Sequence, residues 1–451
     1  MKKETMVTDM TTGNVTKLLL SFAFPLFVSN ALQAVYNIVD MIVVGQYIGG
    51  AGMSAVSIGG DILNLLTFVA MGFSSAGQVL VARDVGSGRM DQVKKTIGTM
   101  FTFLLGISLV ISVGCYFIRH DILRWLNTPA ESYEFTLDYT VTCIVGLFFI
   151  YGYNIVSAIL RGMGDGRRPF LFIAIAAMLN IVLDIVFVAG CGMEVFGAAL
   201  ATVISQAGSF VISLIYLYRR KESFGFDFKL KSFRIEAVAL RPLVALGIPM
   251  AIQSAAISLS KIVLMSWINL FGVVYSALAG VYNKINVVIG IVSNSFTAAG
   301  STMVGQNLGA KQYERVPKIL KTVGFCTILI STIFALGIVY FQDSVYQLFT
   351  SDEAVLANAY ILLIPIILNF YGAATRSIAF SLINGSGNTK LNYAVAVLDG
   401  IISRIGIAAL LGFVVKMGCQ GFWYGDALAG FIPIVIGMCY YISWRRKYFS
   451  T

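Results

Sequence analysis

Charged residues are scarce in this chain of 451 residues: they make up 12% of it, about half the share typical of soluble domains. Hydrophobic residues make up 58%, and the mean hydropathy is +0.83. A chain of this composition folded in water would leave large apolar surfaces exposed. The composition therefore excludes a soluble protein and indicates an integral membrane protein whose main partner is the lipid bilayer.

Residues that commonly carry chemistry are also few. The only histidine is His120, which falls in a loop between apolar runs, and the six cysteines show no paired spacing. There is no phosphate-binding Gly-x-x-x-x-Gly-Lys-Ser/Thr loop, no metal-ligand cluster and no nucleophile–base pairing. We therefore expect no catalytic residue, no resident metal and no cofactor, and the sequence argues against an ATP-driven pump.

The net charge of +10 does not indicate a nucleic-acid partner, because the basic residues lie in short loops between apolar runs. Of the 32 Lys and Arg residues, 25 fall in alternate loops on one side and three fall on the other. The positive-inside rule then places both termini in the cytoplasm.

The sequence contains an internal repeat. Residues 86–95 resemble residues 309–318, and residues 161–167 resemble residues 384–390, both 223 positions later. Two further pairs, Pro25 with Pro249 and Gly197 with Gly421, are 224 positions apart. A shared offset of half the chain length predicts two structurally equivalent halves. Paired halves in a membrane protein are typical of alternating-access transporters.

Apolar runs predict an all-α integral membrane protein with twelve transmembrane helices. The predicted spans are 18–42, 54–82, 96–118, 134–160, 169–190, 196–218, 242–269, 276–305, 319–341, 355–383, 391–414 and 421–443. They form two six-helix lobes, 1–218 and 242–451, joined by a cytoplasmic linker at 219–241. The first apolar run is interpreted as helix 1 and not as a signal peptide. Six spans per half insert both halves the same way up, so a pseudo-two-fold axis runs along the membrane normal.

Ionisable residues inside the first-half spans are candidates for function, because a charge in hydrocarbon costs at least about 2.5–3.5 kcal/mol at the helix centre. The helical rise per residue gives the depth of each residue in the membrane. It places five polar residues in the outer half of this lobe: Asp40, Asp61, Asn180, Asp184 and Thr202. Two carboxylates with amide and hydroxyl oxygens would suit Na⁺, or would share a proton because like charges oppose joint ionisation. Asp61 has no such supporting oxygens, and hydrogen bonds between helices remain the structural alternative for each aspartate.

The second half carries cations at similar depth. Lys261 and Lys284 lie near Asp426, and the simplest interpretation is an internal ion pair of one lysine with Asp426, or of Arg404 with Asp399. Five residues apart on an α-helix, Asp399 and Arg404 do not share a face, so we expect each to find a partner on another helix. Lysines left without a carboxylate would attract an anionic group.

Pro25 and Pro249 interrupt the first helix of each half and are predicted hinges. Their presence in both halves is explained equally by a bend in the common scaffold, or by a bend in helix 1 that is coupled to protonation of Asp40.

Several segments together resemble the multidrug and toxic compound extrusion (MATE) family over essentially the whole chain. The first lobe carries Met-Thr-Thr-Gly-Asn at 10–14, Phe-Pro-Leu at 24–26 and Leu-Gln-Ala-Val-Tyr-Asn-Ile-Val-Asp at 32–40, followed by Val44 and Gly45. Loop motifs follow at 161–165, Arg-Gly-Met-Gly-Asp, and at 305–310, Gly-Gln-Asn-Leu-Gly-Ala. The resemblance implies a cation-coupled antiporter in the cytoplasmic (inner) membrane of a prokaryote, which exports lipophilic, often cationic, compounds. We expect it to act as a monomer.

The resemblance also implies roles for particular residues. The family's coupling-ion positions in helices 1, 5 and 6 fall on Asp40, Asn180, Asp184 and Thr202, which would bind H⁺ or Na⁺; the sequence does not decide between the two ions. The residues expected to line the cavity are Gln33, Tyr36, Asn37, Asp61, Lys261, Lys284 and Asp426.

The second lobe departs from one branch of the family. The NorM-like branch also uses acidic residues in helices 7 and 10, where this chain has Lys261 and Arg376. This difference favours a DinF-like or archaeal-like pattern with coupling in the first lobe, and it weakens the expectation of a cationic substrate. The alternatives are a lipid-linked-precursor flippase of the same superfamily, a major facilitator transporter suggested only by residues 83–86, and an intramembrane enzyme.

Overall fold

The computed structural model describes residues 7–449, and within that range the chain is helical and contains no strand. Twelve helices are long and apolar enough to cross a membrane, which confirms the predicted all-α fold. In chain order, α1 to α12 are Val15–Ile48, Gly50–Gly86, Met90–Phe117, Ala130–Gly162, Arg167–Gly190, Glu194–Arg219, Ala237–Asn269, Val273–Gly309, Arg315–Tyr340, Glu353–Ser386, Thr389–Val414 and Cys419–Phe449. Residues 1–6 and 450–451 of the predicted lobes, and the basic residues Lys2 and Lys3, lie outside the described residues.

Turn and capping residues set where the helices begin. The apolar pattern alone places the helix starts several residues too late. α2 begins directly after Gly49 and α8 directly after Gly272, whose φ angles of 82° and 102° suit glycine. These glycines lie 223 positions apart, so the repeat extends to the turns. The Asn14 side chain accepts a hydrogen bond from the Lys17 amide (3.0 Å) at the start of α1, and Asn388 caps α11 by accepting from Leu391 (3.2 Å).

The chain forms two compact units, and two of the three boundaries between them fall inside helices. Of the described residues, unit 1 contains 7–9 and 24–251, and unit 2 contains 10–23 and 252–449. The two boundaries inside helices lie within three residues of Pro25 in α1 and of Pro249 in α7, whereas the third lies before α1. Each unit therefore includes one segment of a helix that the sequence assigns to the other half.

The core of unit 1 is built mainly from α2, α3 and α4, and it also includes the start of α7 through Leu243, Leu246 and Met250. α7 begins at Ala237, inside the predicted linker 219–241, and the rest of that linker packs on α3. The Thr99 hydroxyl accepts a hydrogen bond from the Glu236 amide (3.1 Å), and Phe224 and Phe226 are buried. The segment 219–236 is thus an integral part of unit 1.

Unit 2 holds the N-terminal segment through a polar anchor at the end of α8 and the start of α9. The Met10 amide donates to the Gln306 side chain (3.0 Å), and Asn307 donates to the Met10 carbonyl (3.0 Å). The Arg315 guanidinium donates to the carbonyls of Thr12 (3.2 Å) and Gly13 (3.1 Å). The backbone of residues 10, 12 and 13 is consequently fixed by hydrogen bonds to side chains of α8 and α9 before α1 begins.

Two of the described helices contain π-helical segments. The last part of α5 is a π-helix, Ile185–Gly190, and α11 contains two π-helical segments, Leu398–Ser403 and Leu410–Val414. The second segment of α11 lies at the repeat position of the π-helix in α5, whereas the first has no counterpart. A π-helical turn accommodates one residue more than an α-helical turn. Leu398–Ser403 therefore explains why the repeat offset rises from 223 at residues 161–167 to 224 at Gly197.

Candidate functional site

The four residues predicted to hold the coupling ion are all buried in unit 1. Asp40 lies on α1 and is 5% exposed; Asn180 and Asp184 lie one turn apart on α5, with exposures of 2% and 0%. Thr202 lies on α6 and is 8% exposed. Buried aspartates in a membrane span are costly unless they are paired, protonated or bound to a cation.

A shared apolar cluster brings the three helices together at this level. Asp40, Asp184 and Thr202 are each four residues, about 6 Å along a helix, from a member of one buried cluster. The residue pairs are Asp40 with Val44, Asp184 with Val188, and Thr202 with Ala198. Because α6 runs opposite to α1 and α5, all three polar residues lie on the same side of the cluster. Both carboxylates also act electrostatically on the buried ring of Tyr139.

The oxygens of this site lack hydrogen-bond donors among the described residues. Asp40 Oδ1, both carboxylate oxygens of Asp184, and Asn180 Oδ1 are buried and have no partner there. The Asn180 amide nitrogen donates to Thr202 Oγ1 at 3.5 Å, the long limit of a hydrogen bond. Orphaned buried acceptors are rare, because each costs about 1–3 kcal/mol.

An alkali cation or protons would satisfy these acceptors. Carboxylate, amide and hydroxyl oxygens are suitable ligands for a hard cation, and a proton on one carboxylate would remove the repulsion between the pair. The described residues contain no group of three His, Cys, Asp or Glu side chains that could hold a transition metal. The donor set therefore fits the coupling ion expected from the sequence.

The other first-half candidates do not join this group of oxygens. Gln33, Asn37 and Asp61 are exposed in the structure. Tyr36 is buried, and its hydroxyl interacts with the side chains of Gln33 and Gln206. Gln206 was not among the residues predicted from the sequence, although it follows Thr202 by four residues and so shares a face of α6 with it.

In unit 2 the two carboxylates are engaged by arginines and not by lysines. Arg404 makes ion pairs with Asp426 and with Asp399 (3.5 Å). Arg376 on α10 pairs with Asp399 (3.2 Å). Tyr282 on α8 donates to Asp426 Oδ2 (3.1 Å). The predicted pairing of a lysine with Asp426 is therefore wrong: among the described residues, neither Lys261 nor Lys284 forms an ion pair.

The expectation that Asp399 and Arg404 each find a partner on another helix is confirmed, and the alternative ion pair between these two residues is present as well. Asp399 lies inside the π-helix Leu398–Ser403 and Arg404 follows it directly. The wider turn brings positions five apart toward one face, which an α-helix would not do. Arg404 consequently bridges Asp399 on its own helix and Asp426 on α12. The change of offset within the repeat was the available signal for this irregular turn.

Repeat-related positions in the two units have opposite chemistry. Arg404 and Asp426 lie 224 residues after Asn180 and Thr202, so an ion pair occupies the place of the weak amide–hydroxyl hydrogen bond. At the same offset, Asp40 and Asp184 correspond to Leu264 and Ala408. The second unit thus lacks the acceptor-rich site of the first.

A small cavity adjoins the ion pairs of unit 2. It has a volume of about 20 Å³ and is bordered by Lys261, Asp426, Tyr282, Asn283 and Trp423. Apolar side chains of α7, among them Leu264 and Met265, complete its wall. Lys261 is exposed, whereas Lys284 is exposed elsewhere on α8 and does not border the cavity.

Comparison with known proteins gives the following relationships. A sequence model of the MatE family matches residues 25–186 and 249–410. The chain is 27% identical to the probable multidrug resistance protein YoeA of Bacillus subtilis over 434 residues, covering 94% of this chain and 93% of the relative. It is 25% identical to an FAD transporter of Shewanella oneidensis, covering 96% and 95%.

The fold has counterparts among solved structures. A MOP superfamily transporter from Pyrococcus furiosus superposes with a TM-score of 0.91 at 19% identity, covering 97% of this chain and 98% of that one. That structure was published with the statement that reverse polarity of its binding pocket suggests a different function. At this level of identity the likeness establishes the fold alone.

Proposed function

The chain belongs to the MatE family of multidrug transporters, and from this membership we propose that it is a cation-coupled antiporter that exports lipophilic compounds by alternating access. The observation that carries the proposal is the group of buried, partnerless oxygens of Asp40, Asn180 and Asp184 in unit 1. H⁺ or Na⁺ is the coupling ion that this group would bind.

The mechanism follows from the differential affinity of the ion for two states of the protein. Ion binding between Asp40 and Asp184 cancels their repulsion and allows α1 to pack against α5 and α6. The ion binds from outside and favours the state that releases the compound outward; its release inside returns the protein to the inward-open state. An ion can drive this cycle only by as much as its affinities for the two states differ.

Coupling then resides in unit 1, as in the DinF-like or archaeal-like branch, because the carboxylates of unit 2 are already engaged by Arg376 and Arg404. Pro25 provides the hinge in α1, where the missing backbone hydrogen bond permits bending. The protein works as a monomer in a prokaryotic inner membrane with both termini in the cytoplasm. The 25-to-3 distribution of basic residues supports that orientation.

Transport in proteoliposomes tests the proposal. Fluorescent lipophilic compounds, cationic and anionic, are followed under imposed H⁺ and Na⁺ gradients applied separately. We expect one gradient to drive transport, and Asp40→Asn to reduce the driven rate at least about tenfold, because an amide cannot bind a proton and binds Na⁺ more weakly. Asp61→Asn is the matched control and should retain the wild-type rate.

Two results would contradict the proposal. Full gradient-driven transport by folded Asp40→Asn protein would exclude the coupling role of this carboxylate. Absence of gradient-driven transport by the wild type would exclude antiport and would favour the lipid-linked-precursor flippase.

A further inference from the structure

The charge cluster of unit 2 has a chemistry that the antiport mechanism does not use. We define the cationic cluster as Lys261, Arg376 and Arg404 together with Asp399 and Asp426. We propose that it binds the anionic group, a carboxylate or a phosphate, of the compound that the protein transports. This inference rests on the proposed function and specifies the substrate class.

The cationic cluster has one positive charge in excess. Three cations face two carboxylates, and the carboxylates are already occupied: Asp426 by Arg404 and Tyr282, and Asp399 by Arg376 and Arg404. Lys261 is attracted by Asp426 at longer range, but it forms no ion pair among the residues that the structure describes. A ligand anion would supply the missing negative charge.

Unused hydrogen-bond donors support the same assignment. The Nε atoms of Arg376 and Arg404 and the indole nitrogen of Trp423 are buried and find no acceptor among the described residues. The cluster's own carboxylates leave one acceptor free, Asp399 Oδ2, so its donors exceed its acceptors. Oxygens of a carboxylate or phosphate are the ligands that such donors prefer.

The cavity beside Lys261 defines what can enter. A volume of about 20 Å³ holds roughly one water-sized group. It would therefore receive a terminal anionic oxygen and not the body of the compound. Leu264, Met265 and Ile268 border the same cavity and offer apolar contact to the carbon atoms next to the anion. A lipophilic compound with a negatively charged end matches both features.

The repeat gives independent support, because the two units differ in sign at matched positions. Lys261 lies 224 residues after Asn37, and Arg404 lies 224 residues after Asn180. Neutral amides of the first half are thus replaced by cations in the second. The first half has the acceptors for a cation, whereas the second has the donors for an anion.

Binding of four probes of common shape tests this site in purified protein in detergent. The probes are 1-naphthylacetate, 1-naphthylmethyl phosphate, the neutral 1-naphthylmethanol and the cationic 1-naphthylmethylamine, and the dissociation constants come from calorimetry. We expect at least one anion to bind about tenfold or more tightly than the alcohol, because a charge-assisted hydrogen bond is stronger than a neutral one; tenfold corresponds to about 1.4 kcal/mol. The carboxylate and the phosphate report separately which anion is preferred.

Variants assign the binding to the cationic cluster. Lys261→Gln should remove the preference for the anion, Lys261→Arg should keep most of it, and Lys284→Gln is the matched control that should leave it unchanged. Lys261 is exposed, so these substitutions do not disturb a packed core.

Three results would overturn the inference. The first two are equal affinity for the anions and the alcohol, and tighter binding of the amine. The third is an anion preference that survives Lys261→Gln, because the anion would then bind elsewhere. Binding in detergent needs no ion gradient. A failure of gradient-driven transport would therefore count against the antiport function alone, and not against the anion site.

Discussion

Replacing the buried Arg404–Asp426 ion pair of unit 2 by the Asn–Thr pair found at the matched positions of unit 1 should separate two contributions to stability. One is the attraction between the two charges, and the other is the burial of the side chains. In Arg404→Asn, the carboxylates of Asp426 and Asp399 each lose an arginine partner, although Asp399 keeps Arg376. Removing one partner of a buried pair costs about 3–5 kcal/mol, because the remaining charge stays buried without compensation.

The double variant Arg404→Asn with Asp426→Thr recreates the neutral pair that Asn180 and Thr202 form in unit 1. No charge remains unpaired at position 426. We therefore expect the double variant to be more stable than Arg404→Asn by about 2 kcal/mol, despite the additional loss of side-chain volume. The coupling energy of the pair is this difference plus the cost of Asp426→Thr alone, so it would exceed about 2 kcal/mol and lie at or above the upper end of values measured between neighbouring residues.

The free energy of unfolding is measured by chemical denaturation in detergent micelles for the wild type, both single variants and the double variant. Lys284→Asn serves as the exposed control and should change it by no more than about 0.5 kcal/mol. Additive effects of Arg404→Asn and Asp426→Thr, with no coupling beyond measurement error, would refute the reasoning. The pair would then contribute nothing through its charges.

Two further predictions concern packing and the N-terminal anchor. A Cβ atom at Gly425 would lie 2.3 Å from the backbone of Ala408, so Gly425→Ala should destabilise the protein by about 1–3 kcal/mol in the same denaturation assay. The control Gly406→Ala, whose Cβ would meet no atom within 4 Å, should be neutral or stabilising. Equal effects of the two substitutions would contradict the close approach of α11 and α12. Arg315→Ala removes the hydrogen-bond donors to the carbonyls of residues 12 and 13. It should speed hydrogen exchange or proteolysis of residues 10–14 without lowering the protection of α9. Unchanged protection of residues 10–14 would show that the arginine does not anchor them.

Much of the first-half site was predictable because it depends on features that sequence expresses directly. Apolar length gives the spans, and helical rise gives the depth of Asp40 and Asp184. Their burial follows from the cost of exposing a charge to hydrocarbon. Tyr139 was not identified as a neighbour of these carboxylates, because an aromatic residue in an apolar run is indistinguishable from an ordinary core residue.

The cationic partner of Asp426 in the second half was not predictable with the same rules. Partner choice between Lys261 and Arg404 depends on rotations of a few tens of degrees about helix axes, which the apolar pattern does not fix. A single inserted residue at Leu398–Ser403 changes that rotation and brings Asp399 and Arg404 together. The exposure of Asp61 was also not predictable, because the depth of a residue in a span does not indicate which side of the helix faces the protein.

The division of α1 and α7 between the two units has a consequence for biosynthesis. Leu243, Leu246 and Met250 complete the core of unit 1, although they belong by sequence to the second half. A nascent chain that has emerged only as far as α6 therefore still lacks part of that core. Residues 10–13 emerge early, but their hydrogen bonds to Gln306 and Arg315 cannot form until those residues have been synthesised, nearly three hundred residues later. The two halves of this duplicated chain are thus interdependent during synthesis, and neither can be regarded as a folding module that is finished before the other begins.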